Sequence, residues 1–128
     1  MPEPHPFRRA AEAKDFEQML ESLREDVVLH SPVLFRGFEG RDAVSMVLTH
    51  VAAVLEGLTY TDEAIGGETV VLRFKANVGE LELEGIDYLT LDADGRVADL
   101  TVFMRPMSAL TAFNARMAER LGVELPSN

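Results

Sequence analysis

The stretch that invites a chemical reading is "LELEGIDYLTLDADG", residues 81 to 95. Strand side chains alternate between two faces. Leu81, Leu83, Gly85, Asp87, Leu89 and Leu91 therefore share one side, with Asp87 the single carboxylate in an apolar row. Apolar surroundings disfavour a charged carboxyl and raise its pKa, so the group can donate a hydrogen bond or take a proton near neutral pH. Asp87 is the first candidate catalytic residue. The competing reading is a structural carboxylate, bonded inside the protein to a Tyr, a His or backbone amides.

His30 and Ser31, in "VVLHSP", are the next candidates. Neighbours in a strand point to opposite faces, so the two cannot pair with each other and one of them should face inward. An inward His30 would pair with Asp87 and serve as a base. An outward His30 would be a surface residue at the end of a strand, leaving Ser31 as the partner. His5 and His50 are remote from these residues and form no H-x-H or H-E-x-x-H spacing, so no dedicated metal site is expected. Tyr60 and Tyr88 are possible hydrogen-bond donors to a ligand, although Tyr88 alternates away from Asp87. The pairs "GGE" and "GFEG" do not open helices after strands, so no phosphate-cradling loop and no cofactor are expected.

The elements that must position these residues follow from periodicity. "PHPFRRAAEAK" predicts a first helix, with Pro6 in its first turn. "DFEQMLESLRED" predicts a second, opened by Asp15 and Gln18 as a capping box. "VVLHSP" is a short strand and "VLFRGFEG" a loop. "RDAVSMVLTHVAAVLEG" is a third helix with Val44, Val47, Leu48, Val51 and Leu55 on one face and Gly57 as its stop. The period then changes to two. "LTYTDEAI", "TVVLRFKAN", "LELEGIDYLTL" and "RVADLTVFMR" read as a meander of strands joined by "GGE", "VGE" and "DADG" turns. "SALTAFNARMAERLG" returns to helix, spanning about 107–122, with Ser108 as cap, Gly122 as stop and an apolar stripe of Ala109, Leu110, Phe113, Met117 and Leu121.

Helices followed by a strand meander mean an α+β fold. The expectation is one domain over residues 1–128. It is a cone-shaped, curved antiparallel sheet of about four to six strands, packed by three N-terminal helices, with an extra C-terminal helix. Composition agrees with a globular domain: 47% apolar and 27% charged residues. Twelve basic against 22 acidic residues give a net charge of −10, which argues against nucleic-acid or anionic-membrane partners. With no cysteine, disulfides and thiol chemistry are excluded. The amino terminus has no apolar core after a basic start, and no apolar run reaches membrane-spanning length, so a soluble cytoplasmic protein is expected.

"KDFEQMLESLREDVVLHSP", "FEGRDAVSMVL" and "GIDYLTLDADGRVADLTVF", in that order and spacing, resemble the nuclear-transport-factor-2-like superfamily in its SnoaL-like and ketosteroid-isomerase-like branch. The resemblance covers residues 6 to about 106. It implies the fold more strongly than the reaction, because the fold hosts isomerases, cyclases, hydrolases and non-catalytic binders. It also implies a site. The isomerases' general-base Asp corresponds to Ser31, their oxyanion-binding Tyr to Phe7, and their second oxyanion-hole Asp to Asp87. In the epoxide-hydrolase branch, the Arg–Asp–Asp set corresponds to Gly85, Asp87 and Val102, and His30 takes the place of an Asn. The ligand is then an apolar small molecule inside the cone. Phe7 and Val47 would touch it from the helices. Leu72, Phe74 and Leu89, with Leu100, Val102 and Met104, would touch it from the concave sheet face.

The expected function is a small-molecule pocket doing acid–base chemistry of the isomerase, cyclase or hydrolase type. The alternative is a non-catalytic binding or dimerisation module. Ile86, Tyr88, Thr101 and Phe103 should form an apolar outer patch through which the chain makes a homodimer.

Overall fold

The computed structural model describes residues 4–122. The chain runs α1 (Pro6–Ala13), α2 (Phe16–Ser22), β1 (Leu23–His30), β2 (Phe38–Glu39), α3 (Arg41–Val54), β3 (Glu56–Gly66), β4 (Thr69–Val78), β5 (Leu81–Leu91), β6 (Val97–Arg105) and α4 (Met107–Leu121). The six strands form one sheet in the order β2-β1-β6-β5-β4-β3. All neighbours are antiparallel except β1 and β6, which run parallel. The sheet is curved and unclosed, and the fold is the α+β cone that the strand meander implies. The parallel pair is a departure from a purely antiparallel sheet. It arises because β1 reaches the sheet ahead of the meander and joins the last strand of it.

Local chemistry explains most boundaries. The His5 side chain accepts the amide of Phe7 and Pro6 takes the first helical position of α1. Asp15 caps α2 by accepting from the Gln18 amide. Gly122, in the left-handed conformation, ends α4. Asp92 closes the β5–β6 turn by accepting from the amides of Asp94 and Arg96.

Four boundaries differ from the sequence reading. α2 stops at Ser22, four residues before Asp26, because Leu23 and Val27 are both fully buried and Leu23 already pairs with Val97. Sheet pairing overrides helix propensity there. The "VLFRGFEG" loop contains the short strand β2, which pairs with Val28 and Leu29. α3 ends at Val54, and Gly57, at φ +64°, sits inside β3 where the pairing register slips, so it is a bulge and not a helix stop. α4 is capped by Pro106 rather than Ser108.

α1, α2, α3 and α4 lie over the concave face. Phe7, Val44, Val47, Phe113 and Met117 from the helices meet Leu29, Phe74, Leu83, Leu89 and Leu100 from the sheet in one buried core. The stripe read on α4 holds: Ala109, Phe113 and Met117 are buried and Leu110 and Leu121 pack against the core. This helix therefore closes the cone of its own chain.

Gly85 sets a close approach in the sheet. A Cβ there would lie 2.1 Å from the carbonyl oxygen of Phe103 and 2.8 Å from the ring of Phe74. Only a residue without a side chain lets β5 press against β6 at this row while the Phe74 ring covers it from the concave side.

Candidate functional site

Asp87 sits mid-strand in β5, between Leu72 of β4 and Val102 of β6. The residue is 7% exposed. Its neighbour in chemistry is Tyr60, whose hydroxyl donates to Oδ2 of Asp87 at 2.7 Å. Tyr60 belongs to β3, two strands away from β5, so the phenol reaches across β4. It passes edge-on to the Phe74 ring, at 6.0 Å between centroids and 73° between planes.

Tyr60 is held at both backbone and side chain. Its amide donates to Glu12 and its carbonyl accepts from Arg8, both on α1. Arg8 also bonds Glu63 and stands over the Tyr60 ring. A bulge between Tyr60 and Asp62 turns β3 here. Bulges of this kind re-aim a side chain beside a site. Helix α1 thus clamps the edge strand and satisfies backbone groups that an edge would leave unpaired.

Burial raises the Asp87 carboxyl to about 7, and the Tyr60 hydrogen bond offsets part of that rise. Burial first, then the adjacent Asp87 charge, pushes the Tyr60 phenol well above its ordinary value. The phenol therefore stays protonated and acts only as a donor, while Asp87 titrates where a proton acceptor or donor is useful.

Both residues line a cavity of about 80 Å³ between sheet and helices. Its wall is almost wholly apolar, contributed by Leu29, Val47, Val51, Leu55, Phe74 and Phe113 among others. It runs from buried Asp87, Tyr60 and Phe74 to exposed Lys14 and Phe16, so it opens at the α1–α2 turn.

Of the residues singled out from sequence, Asp87, Ser31, Phe7, Val47, Phe74, Val102 and Met104 come together around this cavity. Ser31 Oγ accepts from the amides of Val33 and Leu34. Those two bonds occupy its lone pairs and leave the hydroxyl hydrogen as a donor. Its place, inside, settles which of the His30–Ser31 neighbours faces inward.

His30 does not join the site. It pairs with Thr101 on the outer side of the sheet and its Nε2 lies 3.2 Å from Oδ2 of Asp99, with both side chains about 40% exposed (38% and 41%). Leu72, Leu89 and Leu100 are also corrections. They are on the concave side but 0% exposed, packed into the closed part of the core and not in the cavity wall. At the surface, His50 accepts from Arg120 and so ties α3 to α4.

Sequence reasoning missed the Tyr60–Asp87 pair. Period two did place Leu58 and Tyr60 on one face of β3, which was the available signal. Among the described residues, no three His, Cys, Asp or Glu side chains gather as a metal site would need. No described helix is long and apolar enough to cross a membrane.

A curved sheet wrapped by helices around an apolar cavity, with Asp87 the one carboxyl at its wall among the described residues, defines a cone-shaped α+β fold. The SnoaL-like domain family matches residues 6–100. The chain belongs to this family, within the nuclear-transport-factor-2-like superfamily. It is similar to a steroid delta-isomerase from Pseudomonas aeruginosa, with 37% identity over 91% of this chain and 86% of that one and a TM-score of 0.86. It is also similar to an uncharacterized bacterial protein with a cystatin-like fold from Silicibacter pomeroyi, at 31% identity over 91% and 83% of the two chains and a TM-score of 0.87. A de novo designed protein with a curved β-sheet shares the fold at 14% identity, over 84% and 86% of the chains, with a TM-score of 0.70. No curated protein is similar enough to count as a relative.

Proposed function

We propose that this protein is a proton-transfer enzyme acting on an apolar carbonyl compound with an acidic hydrogen beside the carbonyl. The observation that carries this is a carboxyl in the wall of an apolar cavity, held by a phenol and titrating at about 7. The likeness to a steroid delta-isomerase supports the same class of reaction. In the reaction, the Asp87 carboxylate takes the proton from the carbon next to the carbonyl. The electron pair moves to the carbonyl oxygen, which accepts the Ser31 hydroxyl. The resulting carboxylic acid returns the proton to the same carbon or to a conjugated one, so no other reactant is consumed. Tyr60 steadies the carboxylate throughout.

The test is hydrogen exchange. In deuterium oxide, 2-tetralone should exchange its α-hydrogens faster with the wild-type protein than with Asp87→Asn, by at least about a hundredfold. Proton NMR reads the loss of signal directly. Equal rates would sink the proposal.

One observation favours a second reading, a binding protein without catalysis. Ser31 stands where the resembling isomerases carry their base, its lone pairs are engaged, and His30 lies outside. Asp87 would then serve only as the polar anchor for the ligand, and 2-tetralone would bind without exchange.

In either reading the protein is proposed to act as a homodimer. The outer sheet face carries Ile86 opposite Phe103 and Tyr88 opposite Thr101, with Tyr88 41% and Phe103 53% exposed. Arg73, Glu84 and Arg105 form an ion cluster at its border. An apolar centre edged by charges of both signs suits a twofold contact. Sedimentation at tens of micromolar, roughly the concentration that populates a stable interface, should show a dimer, and Phe103→Glu should shift it to monomer. A wild-type monomer would refute this.

A further inference from the structure

Asn114 stands in the middle of α4, next to Phe113 and three residues before Met117, both of which line the cavity. Asn is a poor choice for a helix interior, because its amide competes for backbone hydrogen bonds. The residue lines the cavity beside Phe113, Met117 and Leu121. Its Oδ1 is buried and has no hydrogen-bond partner among the described residues. An unpaired buried acceptor destabilises a fold. A residue so placed calls for a partner that the chain does not supply. The Nε atoms of Arg8 and Arg41 are also buried without a hydrogen-bond partner among the described residues, but neither residue lines the cavity, and Arg8 is committed to Glu12, Glu63 and Tyr60.

We propose that Asn114 sets ligand specificity, its Oδ1 accepting a hydrogen bond from a hydroxyl or N–H group of the molecule in the cavity. This rests on the reading of the cavity as the binding site served by Asp87. The polar groups of the wall then describe the ligand. Asp87, when protonated, and Ser31 offer donors to an oxygen such as a carbonyl. Asn114 asks for a donor at a separate point, on the side of α4. Between them the ligand is apolar. An uncharged hydroxy- or amino-substituted carbonyl compound meets these demands. A carboxylate or phosphate directed at α4 does not, since Oδ1 is an acceptor and would oppose it. Asn114 also lies beyond residues 6–100, the part shared with the SnoaL-like family, so this demand belongs to the C-terminal helix.

The probes are 2-tetralone, its isomers with one hydroxyl on the aromatic ring, and their methyl ethers. Binding is measured by calorimetry to the wild-type protein, Asn114→Leu and Asn114→Asp. One hydroxyl isomer should bind the wild type about fivefold tighter than 2-tetralone, the usual scale of one hydrogen bond. That preference should vanish in Asn114→Leu and persist in Asn114→Asp, which keeps an acceptor. Without any probe, Asn114→Leu should melt at a higher temperature than the wild type, because the unpaired acceptor is gone. A lower melting temperature would overturn the proposal by showing that Oδ1 is already satisfied. Methyl ethers binding as tightly as the phenols would overturn it as well, since an ether donates nothing. Binding of 2-tetralone with no hydroxyl preference refutes the role of Asn114 and leaves Asp87 as the anchor. Binding of no probe at all overturns both.

Discussion

Asp87→Asn is expected to gain about 4 kcal/mol of stability relative to the wild type as the pH is raised from 4 to 8. The size follows from the rise of the Asp87 carboxyl from 3.8 to about 7 on folding. The sign follows from proton binding. Between those two values the folded protein holds a proton that the unfolded chain has released, so this residue's contribution to stability falls as the pH rises. It is full below 3.8, declines up to about 7 and is level above. Asn keeps an acceptor for the Tyr60 hydroxyl but cannot ionise, so it lacks this decline. Surface carboxylates such as Glu84, which Arg73 and Arg105 hold below the usual range, have the opposite slope. They are common to both proteins and cancel in the comparison. Urea denaturation of the two proteins at several pH values reads the difference. Parallel stability profiles would show that Asp87 is charged and paired in the folded state.

The same geometry predicts how an apolar substitution behaves. Asp87→Leu removes the burial penalty but strands the buried Tyr60 hydroxyl, which costs about 1–3 kcal/mol. Asp87→Leu combined with Tyr60→Phe removes both groups. It should fold with at least wild-type stability at pH 8 and bind no ketone, which separates a ligand contact from a structural one.

Gly85→Ala is expected to destabilise the protein by about 3 kcal/mol or more, lowering the melting temperature by roughly 10 °C. The added Cβ would stand 2.1 Å from the Phe103 carbonyl oxygen, a backbone atom that no rotamer change can move. β5 and β6 would have to separate at this row, and Phe74, whose ring lies 2.8 Å from the same point, would be pushed into the cavity. Ketone binding should weaken along with stability, because Phe74 also meets the ring of Tyr60. Gly66→Ala is the control: nothing lies within 4 Å of its Cβ position, and its effect should stay within about 0.5 kcal/mol. Equal melting temperatures for the two variants would refute the close approach.

Legible from the residues alone were the strand meander, the side of β5 on which Asp87 lies, the apolar stripe of α4 and the family. These are legible because side-chain periodicity is a local property: period two sorts a strand into faces and period 3.6 sorts a helix. Three things waited for the tertiary structure. The first was depth. Leu72, Leu89 and Leu100 share the concave side with Phe74 and Val102, yet they are sealed into the core while the others meet the cavity. Periodicity gives direction and not distance from solvent, which depends on what packs above. The second was the direction of His30. Alternation allowed either His30 or Ser31 inside, and only the pairing of Leu29 with Leu100 and His30 with Thr101 fixed the choice. The third was the partner of Asp87. Tyr60 is 27 residues away on a strand that β5 does not touch, and its reach depends on strand order, on the bulge after it and on the grip of Arg8 and Glu12. Such a meeting is written in the sheet's register, where each residue's neighbours come from distant parts of the chain.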